Sequence, residues 1–271
     1  MATLKLNGKR VFYNDGGSPW QPGRPGVVLV HGAGMHHVVW HWQARSLSRY
    51  GFNVAAVDLP GHGESENQPG LETVPAYAEW LSAFIAALGP QPVRLVGNSL
   101  GAGIALALAA THPAQVTALA LLGTRATMKV SPQLMSDLEN QAQRGVDFIA
   151  AYALGLQAHM GAAPTPGSSL MGFSKALLEA CDPQVMLRDF RASDAFDAAP
   201  LAPRVACPTL VLSGEADRMT PTRYSLELAK AIPGAVFRTL PGVGHLPQNE
   251  DPRGVTRILV EFFRSQVTSA A

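Results

Sequence analysis

Cysteine is nearly missing from this chain: Cys181 and Cys207 are the only two in 271 residues, and neither has a partner at metal-ligand spacing. That excludes a disulfide-stapled scaffold and a cysteine-based zinc site. Charge is scarce as well, at 15% of residues, and it cancels almost completely to a formal +1. Without a block of one sign, neither nucleic acid nor an anionic membrane surface has an electrostatic reason to bind. No stretch approaches the ~20 apolar residues of a membrane span. The opening Met1-Ala2-Thr3-Leu4-Lys5-Leu6-Asn7-Gly8 lacks the apolar run and cleavage site of a secretory signal. The expectation is a cytoplasmic protein with no membrane and no nucleic-acid partner. H-E-x-x-H, the G-K-[ST] ending of a phosphate loop and a dinucleotide fingerprint are also missing, so no metal and no cofactor is expected. What the chain has in quantity is apolar side chains, 47% of residues, over a length that can bury one large core.

The most informative stretch is Gly97-Asn98-Ser99-Leu100-Gly101. Before it runs Val93-Arg94-Leu95-Val96, which reads as a buried strand; after it runs Ala102 to Ala110, rich in helix formers and ending near Pro113. A strand turning into a helix around G-x-S-x-G is the context of a nucleophile elbow. The two glycines have a physical task there, because a Cβ at either would collide with the facing strand or helix while the serine holds a strained backbone. A serine hydroxyl is a poor nucleophile near neutral pH, so a base and an orienting carboxylate are required, in the chain order Ser, acid, His. Downstream, the strand Pro208 to Ser213 leads into Gly214-Glu215-Ala216-Asp217, and the strand Ala235 to Leu240 leads into Pro241-Gly242-Val243-Gly244-His245. Asp217 and His245 therefore fall on the same sheet edge as Ser99, where an open α/β sheet carries its chemistry. Glu215 stays open as an alternative acid; the shorter Asp217 holds an imidazole more rigidly. Upstream, Val27-Val28-Leu29-Val30 runs into His31-Gly32-Ala33-Gly34, a glycine-bearing turn that can aim a backbone N–H at the cavity.

These segments resemble the α/β-hydrolase superfamily over nearly the whole chain. The likeness rests on His31 to Gly34, Val57-Asp58-Leu59-Pro60-Gly61-His62-Gly63-Glu64-Ser65, the Ser99 elbow, Pro208 to Pro221 and Gly242 to Pro252. The resemblance implies an α/β fold with a mostly parallel central sheet, helices on both faces and an inserted helical cap. It implies Ser99 as nucleophile, Asp217 as acid, His245 as base, and the amides of Ala33 and Leu100 as oxyanion donors, with Gly34 as the other candidate for the upstream donor. His31, Asp58 and His62 are expected to shape loops. His36, His37 and His41 lack the convergent carboxylate or cysteine of a metal site, and His36 and His37 are expected to line the entrance beside the turn or to be exposed.

The core is expected over 1–123 and 204–271, with the cap over 124–203. Cap helices are expected from about Pro132 to Met160 and Lys175 to Phe190, joined by a flexible Gly161 to Gly172. Of Met135, Phe148, Tyr152, Leu156, Met160, Met171 and Phe173, most are expected to pack in a core and the rest to line an adaptable pocket. The activity expected is hydrolysis of a small ester or lactone. Asn98 resembles carbon–carbon bond hydrolases of ring-cleavage products, but Met35, His36 and Leu246 depart from that subgroup. A cofactor-free perhydrolase would use the same residues, and a ligand receptor would keep the fold without the chemistry.

Overall fold

A computed structural model describes residues 1–65 and 69–266. Strand β1 (Ala2–Leu6) turns through Asn7 and Gly8, both in the left-handed region, into β2 (Lys9–Asn14), the hairpin that Asn-Gly favours. Strand β3 (Gly26–Val30) leads through a 3₁₀ turn, His37–Trp40, to α1 (His41–Arg49) and β4 (Asn53–Val57). Then come α2 (Val74–Leu88), β5 (Val93–Asn98), α3 (Leu100–Thr111) and β6 (Val116–Leu122). Five helices follow before the sheet resumes: α4 (Pro132–Asn140), α5 (Ala142–Tyr152), α6 (Leu156–His159), α7 (Leu170–Glu179) and α8 (Pro183–Ala195). The chain closes with β7 (Thr209–Gly214), α9 (Thr222–Ala231), β8 (Val236–Leu240), α10 (Pro247–Glu250) and α11 (Pro252–Ser265).

The eight strands form one sheet in the order β1-β2-β4-β3-β5-β6-β7-β8. The pairings from β4 through β8 are parallel, and β1 and β2 are antiparallel additions at one edge. The central strands are buried on both faces, which is why β3 and β4 read as apolar runs and β5 does so apart from Arg94. Val27 and Leu29 meet the cluster holding Trp40, Leu47, Leu259 and Phe263 of the α1–α11 side. Val28 and Val30 meet the cluster holding Leu81 of α2, Ile104 of α3 and Leu228 of α9. Helices thus cover both faces. The chain leaves β3 toward β4 and returns on its other side as β5, so the carboxyl ends of β3 and β5 flank a topological switch point.

The helical insertion departs from its expected outline. Gln141 leaves the helical region (φ −146°, ψ 59°) and divides the first helix, and α6 is a single turn set off by Gly155. Ser169 caps α7 through Gly172 N–H, so the helix begins at Leu170 and the intervening loop is shorter than expected; Pro183, behind the Asp182 cap, starts α8. Apolar side chains of the insertion join the α1–α11 core cluster and make no separate core. Met135, Met171 and Phe173 pack against that cluster, while Leu156 and Met160 are exposed. Among the described residues no helix is long and apolar enough to cross a membrane.

Candidate active site

Ser99 occupies the sharp turn between β5 and α3 with φ 56° and ψ −119°. Only Ser99 and Asn7 have positive φ among the described non-glycine residues, and that conformation stores of order 1–3 kcal/mol. The glycines explain how it is tolerated. A Cβ on Gly97 would run into the Gly101 carbonyl, and one on Gly101 into the carbonyls of Val30 and His31 at the end of β3. Ser99 is partly exposed, and the first amides of α3 stand behind it.

The structure brings the predicted acid and base together. His245 Nδ1 donates to Asp217 Oδ2 at 2.9 Å, and both side chains are buried. Asp217 Oδ1 accepts from the amides of Met219 and Thr220, each at 2.8 Å, and Oδ2 also accepts from Thr220 Oγ1 at 2.7 Å. Burial alone would raise the Asp217 carboxyl, but the adjacent His245 imidazole and the Thr220 bonds outweigh it and hold the group below the usual carboxylate range. Glu215 turns away: it is exposed and accepts from Thr239 Oγ1. His245 N–H donates to Ala153 O at 2.6 Å, and Asn98 Nδ2 donates to His245 O at 3.1 Å. Glu250 accepts from the amides of Gly244, Leu246 and Gly155, tying the histidine loop to the insertion. Burial raises the Glu250 carboxyl.

The turn after β3 is fixed just as tightly. His31 Nε2 accepts from Leu59 N–H at 3.1 Å, which places its proton on Nδ1; Nδ1 donates to Gly32 O at 2.9 Å. Burial and the neighbouring His62 push the His31 imidazole down to about 3, so it stays neutral. Gly34 N–H is spent on Asp189 Oδ2 of α8, at 2.9 Å. The amides of Ala33 and Leu100 find no acceptor among the described residues. Of the two upstream candidates, Ala33 is the one left free.

His37 corrects an expectation. It neither lines the entrance nor lies exposed, but is buried and donates through its backbone N–H and Nδ1 to Asp58. Asp58 also accepts from Glu64 N–H, so it shapes the turn after β4 as expected. His36, His37 and Asp58 bring potential ligand atoms within 4.8 Å of one another, but the Asp58 oxygens are spent on protein donors.

A cavity of about 250 Å³ opens over Ser99 and His245, walled by Ala33 and Thr220 and, from the insertion, by Leu134, Phe148, Tyr152 and Phe190. Lys129 and Arg218 also line it. A niche of about 20 Å³ adjoins Ser99 beside Gly32, Asn98 and Leu246, room for one water-sized group. Sequence reasoning missed Thr220, Asp189 and Glu250. A capping position after Asp217 is the one local signal that points to Thr220; Asp189 and Glu250 act through residues distant in sequence.

Residues 25–252 match the model of the alpha/beta hydrolase fold family. The chain belongs to that family. It is 32% identical over 254 residues to a pimeloyl-[acyl-carrier protein] methyl ester esterase of Chromobacterium violaceum, covering 89% of this chain and 95% of that one. A thermophilic esterase from Thermogutta terrifontis superposes with a TM-score of 0.82 at 28% identity, over 97% of each chain. The enol-lactonase of Burkholderia xenovorans LB400 superposes with a TM-score of 0.86 at 24% identity, over 97% of this chain and 100% of that one, and shows the shared fold.

Proposed function

We propose that this hydrolase cleaves a small carboxylic ester, or the internal ester of a lactone, through Ser99, His245 and Asp217. The observation that carries the reading is the Asp217–His245 hydrogen bond beside a strained Ser99, with the Ala33 and Leu100 amides unspent. Asp217 holds the Nδ1–H tautomer, leaving Nε2 to take the Ser99 proton as the hydroxyl attacks the carbonyl carbon. The tetrahedral oxyanion is held by the Ala33 and Leu100 amides, the latter at a helix N-terminus. His245 returns the proton to the leaving alkoxide, then activates the water that frees Ser99 from its acyl group.

Esterase chemistry is supported by the esterases at 32% and 28% identity. A free small molecule, with no carrier protein, is supported by charge. Residues 124–203, which we take as a cap over a core of 1–123 and 204–271, carry six cationic and eight acidic side chains. Arg144, Lys175 and Arg191 are each paired with a carboxylate, so the insertion as a whole offers an acidic carrier little net attraction. Asn98 lends no support to the carbon–carbon reading: Nδ2 donates to Leu122 O and His245 O, and Oδ1 accepts from Gln248.

A fluorophosphonate probe is expected to label Ser99, and Ser99→Ala to lose both labelling and nearly all turnover of p-nitrophenyl butyrate. Tight ligand binding without turnover by the unmodified protein would favour a receptor, and an active Ser99→Ala would remove the nucleophile assignment.

A further inference from the structure

Asp189 is a fully buried carboxylate on the inward face of α8, beside the buried Val185, Met186 and Phe190. A buried charge is costly unless it is fully bonded and paired, and this one is. Its Oδ2 accepts from Gly34 N–H and His62 Nε2, both at 2.9 Å, and its Oδ1 accepts from Tyr77 OH at 2.8 Å. His62 Nδ1 faces Pro60 O at 3.1 Å, so both ring nitrogens meet acceptors and the imidazole carries two protons. One cap side chain thereby ties down the turn after β3, the turn after β4 and helix α2.

We propose that Asp189 is a positioning residue for the oxyanion hole, through which docking of the cap fixes the direction of the Ala33 N–H. The inference rests on the reading of Ala33 as an oxyanion donor. In the Gly32–Ala33 peptide, Gly32 O accepts from His31 Nδ1 and from Met35 N–H. A trans peptide points its N–H opposite its carbonyl, so these bonds turn the Ala33 amide toward the cavity that Ala33 lines with Ser99 and His245. The next peptide, Ala33–Gly34, is held by Asp189 alone among side chains, and Gly34 takes φ +67°. Packing leaves the turn no slack: a Cβ on Gly34 would stand 2.9 Å from Met186 Cγ and 3.2 Å from Leu178 Cδ2. With the cap displaced, Gly34 N–H loses its acceptor and the donor preceding it loses its anchor. The closed cap and the formed oxyanion hole are one state of the molecule.

The test combines steady-state kinetics on p-nitrophenyl butyrate with inhibition by an alkylboronic acid, whose tetrahedral adduct on Ser99 sets an oxygen where the oxyanion forms. Asp189→Asn keeps the shape but gives up the charge pair with His62. It is expected to lower kcat and boronate affinity by the same factor, about 10- to 100-fold, with KM held within about threefold. Leu138→Ala loosens buried packing of α4 away from the turn after β3. It is expected to lower Tm while kcat stays within about threefold. The proposal is overturned if Asp189→Asn costs no more kcat and boronate affinity than Leu138→Ala, or if it raises KM with kcat intact. Should Asp189→Asn not fold, Tyr77→Phe takes its place, freeing one Asp189 oxygen. A kcat loss of about three- to tenfold at constant KM supports the proposal, and an unchanged kcat overturns it. Turnover surviving in Ser99→Ala would instead remove the parent reading, whatever the Asp189 variants do.

Discussion

Asp217 and Glu215 stand two residues apart on the loop after β7, and only Asp217 reaches His245. Asp217→Asn is expected to lower kcat by up to about 10⁴-fold, because the imidazole loses the anion that sets its tautomer and stabilises its charged form. Glu215→Gln, altering only an exposed bond to Thr239, is expected to stay within about threefold. A reversed order in two folded variants would move the acid to Glu215. Thr220 refines the same site: its hydroxyl donates to Asp217 Oδ2 and lies 3.3 Å from His245 Nδ1. The shared oxygen is therefore saturated, and the carboxylate cannot rotate away from the imidazole without losing both partners.

At the scale of elements, the elbow joins β5 to α3 only because two positions carry no side chain. Gly101→Ala places a methyl group against the Val30 and His31 carbonyls, which are rigid backbone. Its expected effect is a destabilisation of about 1–3 kcal/mol or more, seen as a lowered thermal midpoint. An unchanged midpoint would mean that α3 shifts freely against β3. The elbow and the strands were legible in the sequence for a common reason. Strands buried on both faces write continuous apolar runs, and a strained serine turn needs glycines at fixed offsets. Ser99, Asp217 and His245 could be found because each follows such a run at one sheet edge. The helical insertion was less legible. Its helices break at Gln141 and Gly155; the glutamine marks no boundary by composition, and an isolated glycine is tolerated inside a helical pattern. Asp189 was hidden because its meaning lies in Gly34, His62 and Tyr77, more than a hundred positions upstream. His37 was misread because a histidine among histidines gives no sign of the Asp58 carboxylate that buries it.

Over the whole molecule, the helical insertion is fastened at two points that both bear on the candidate site. The end of α5 takes His245 N–H and the Arg218 guanidinium, and α8 holds the turn after β3 through Asp189. Beneath that second fastening lie two histidines whose ring centroids are 4.8 Å apart and whose proton affinities diverge. Asp189 raises His62 well above its usual range against the opposing effect of burial, whereas burial and His62 push His31 down to about 3. Asp58 and Asp189 face the pair and pull His31 weakly the other way. For His62 the folded state keeps a proton that the unfolded chain releases. Its stabilisation is complete below about pH 6.5 and is lost as pH rises through its folded value. For His31 the sign is opposite. Between about pH 6.5 and 3 the unfolded chain takes up a proton that the folded chain refuses, so stability falls on acidification, by about 4–5 kcal/mol once the window is crossed. The depressed carboxylates of Asp58, Asp189 and Asp217 add to the acid loss only as pH drops through and below their unfolded value of about 3.9. His36, lowered by burial, contributes in the same direction as His31 above that point. Between pH 6.5 and 5 those depressed carboxylates stay out of the balance, and Glu250, raised by burial, opposes the acid loss equally in any two proteins that differ only at His31. The free energy of unfolding in urea is expected to fall with pH in the unmodified protein. His31→Gln retains a donor for Gly32 O and an acceptor for Leu59 N–H, and it is expected to flatten that slope by about 1 kcal/mol per pH unit averaged over the window. Parallel slopes for the two proteins would show that His31 is protonated in the folded state and that its neutral tautomer does not brace the turn.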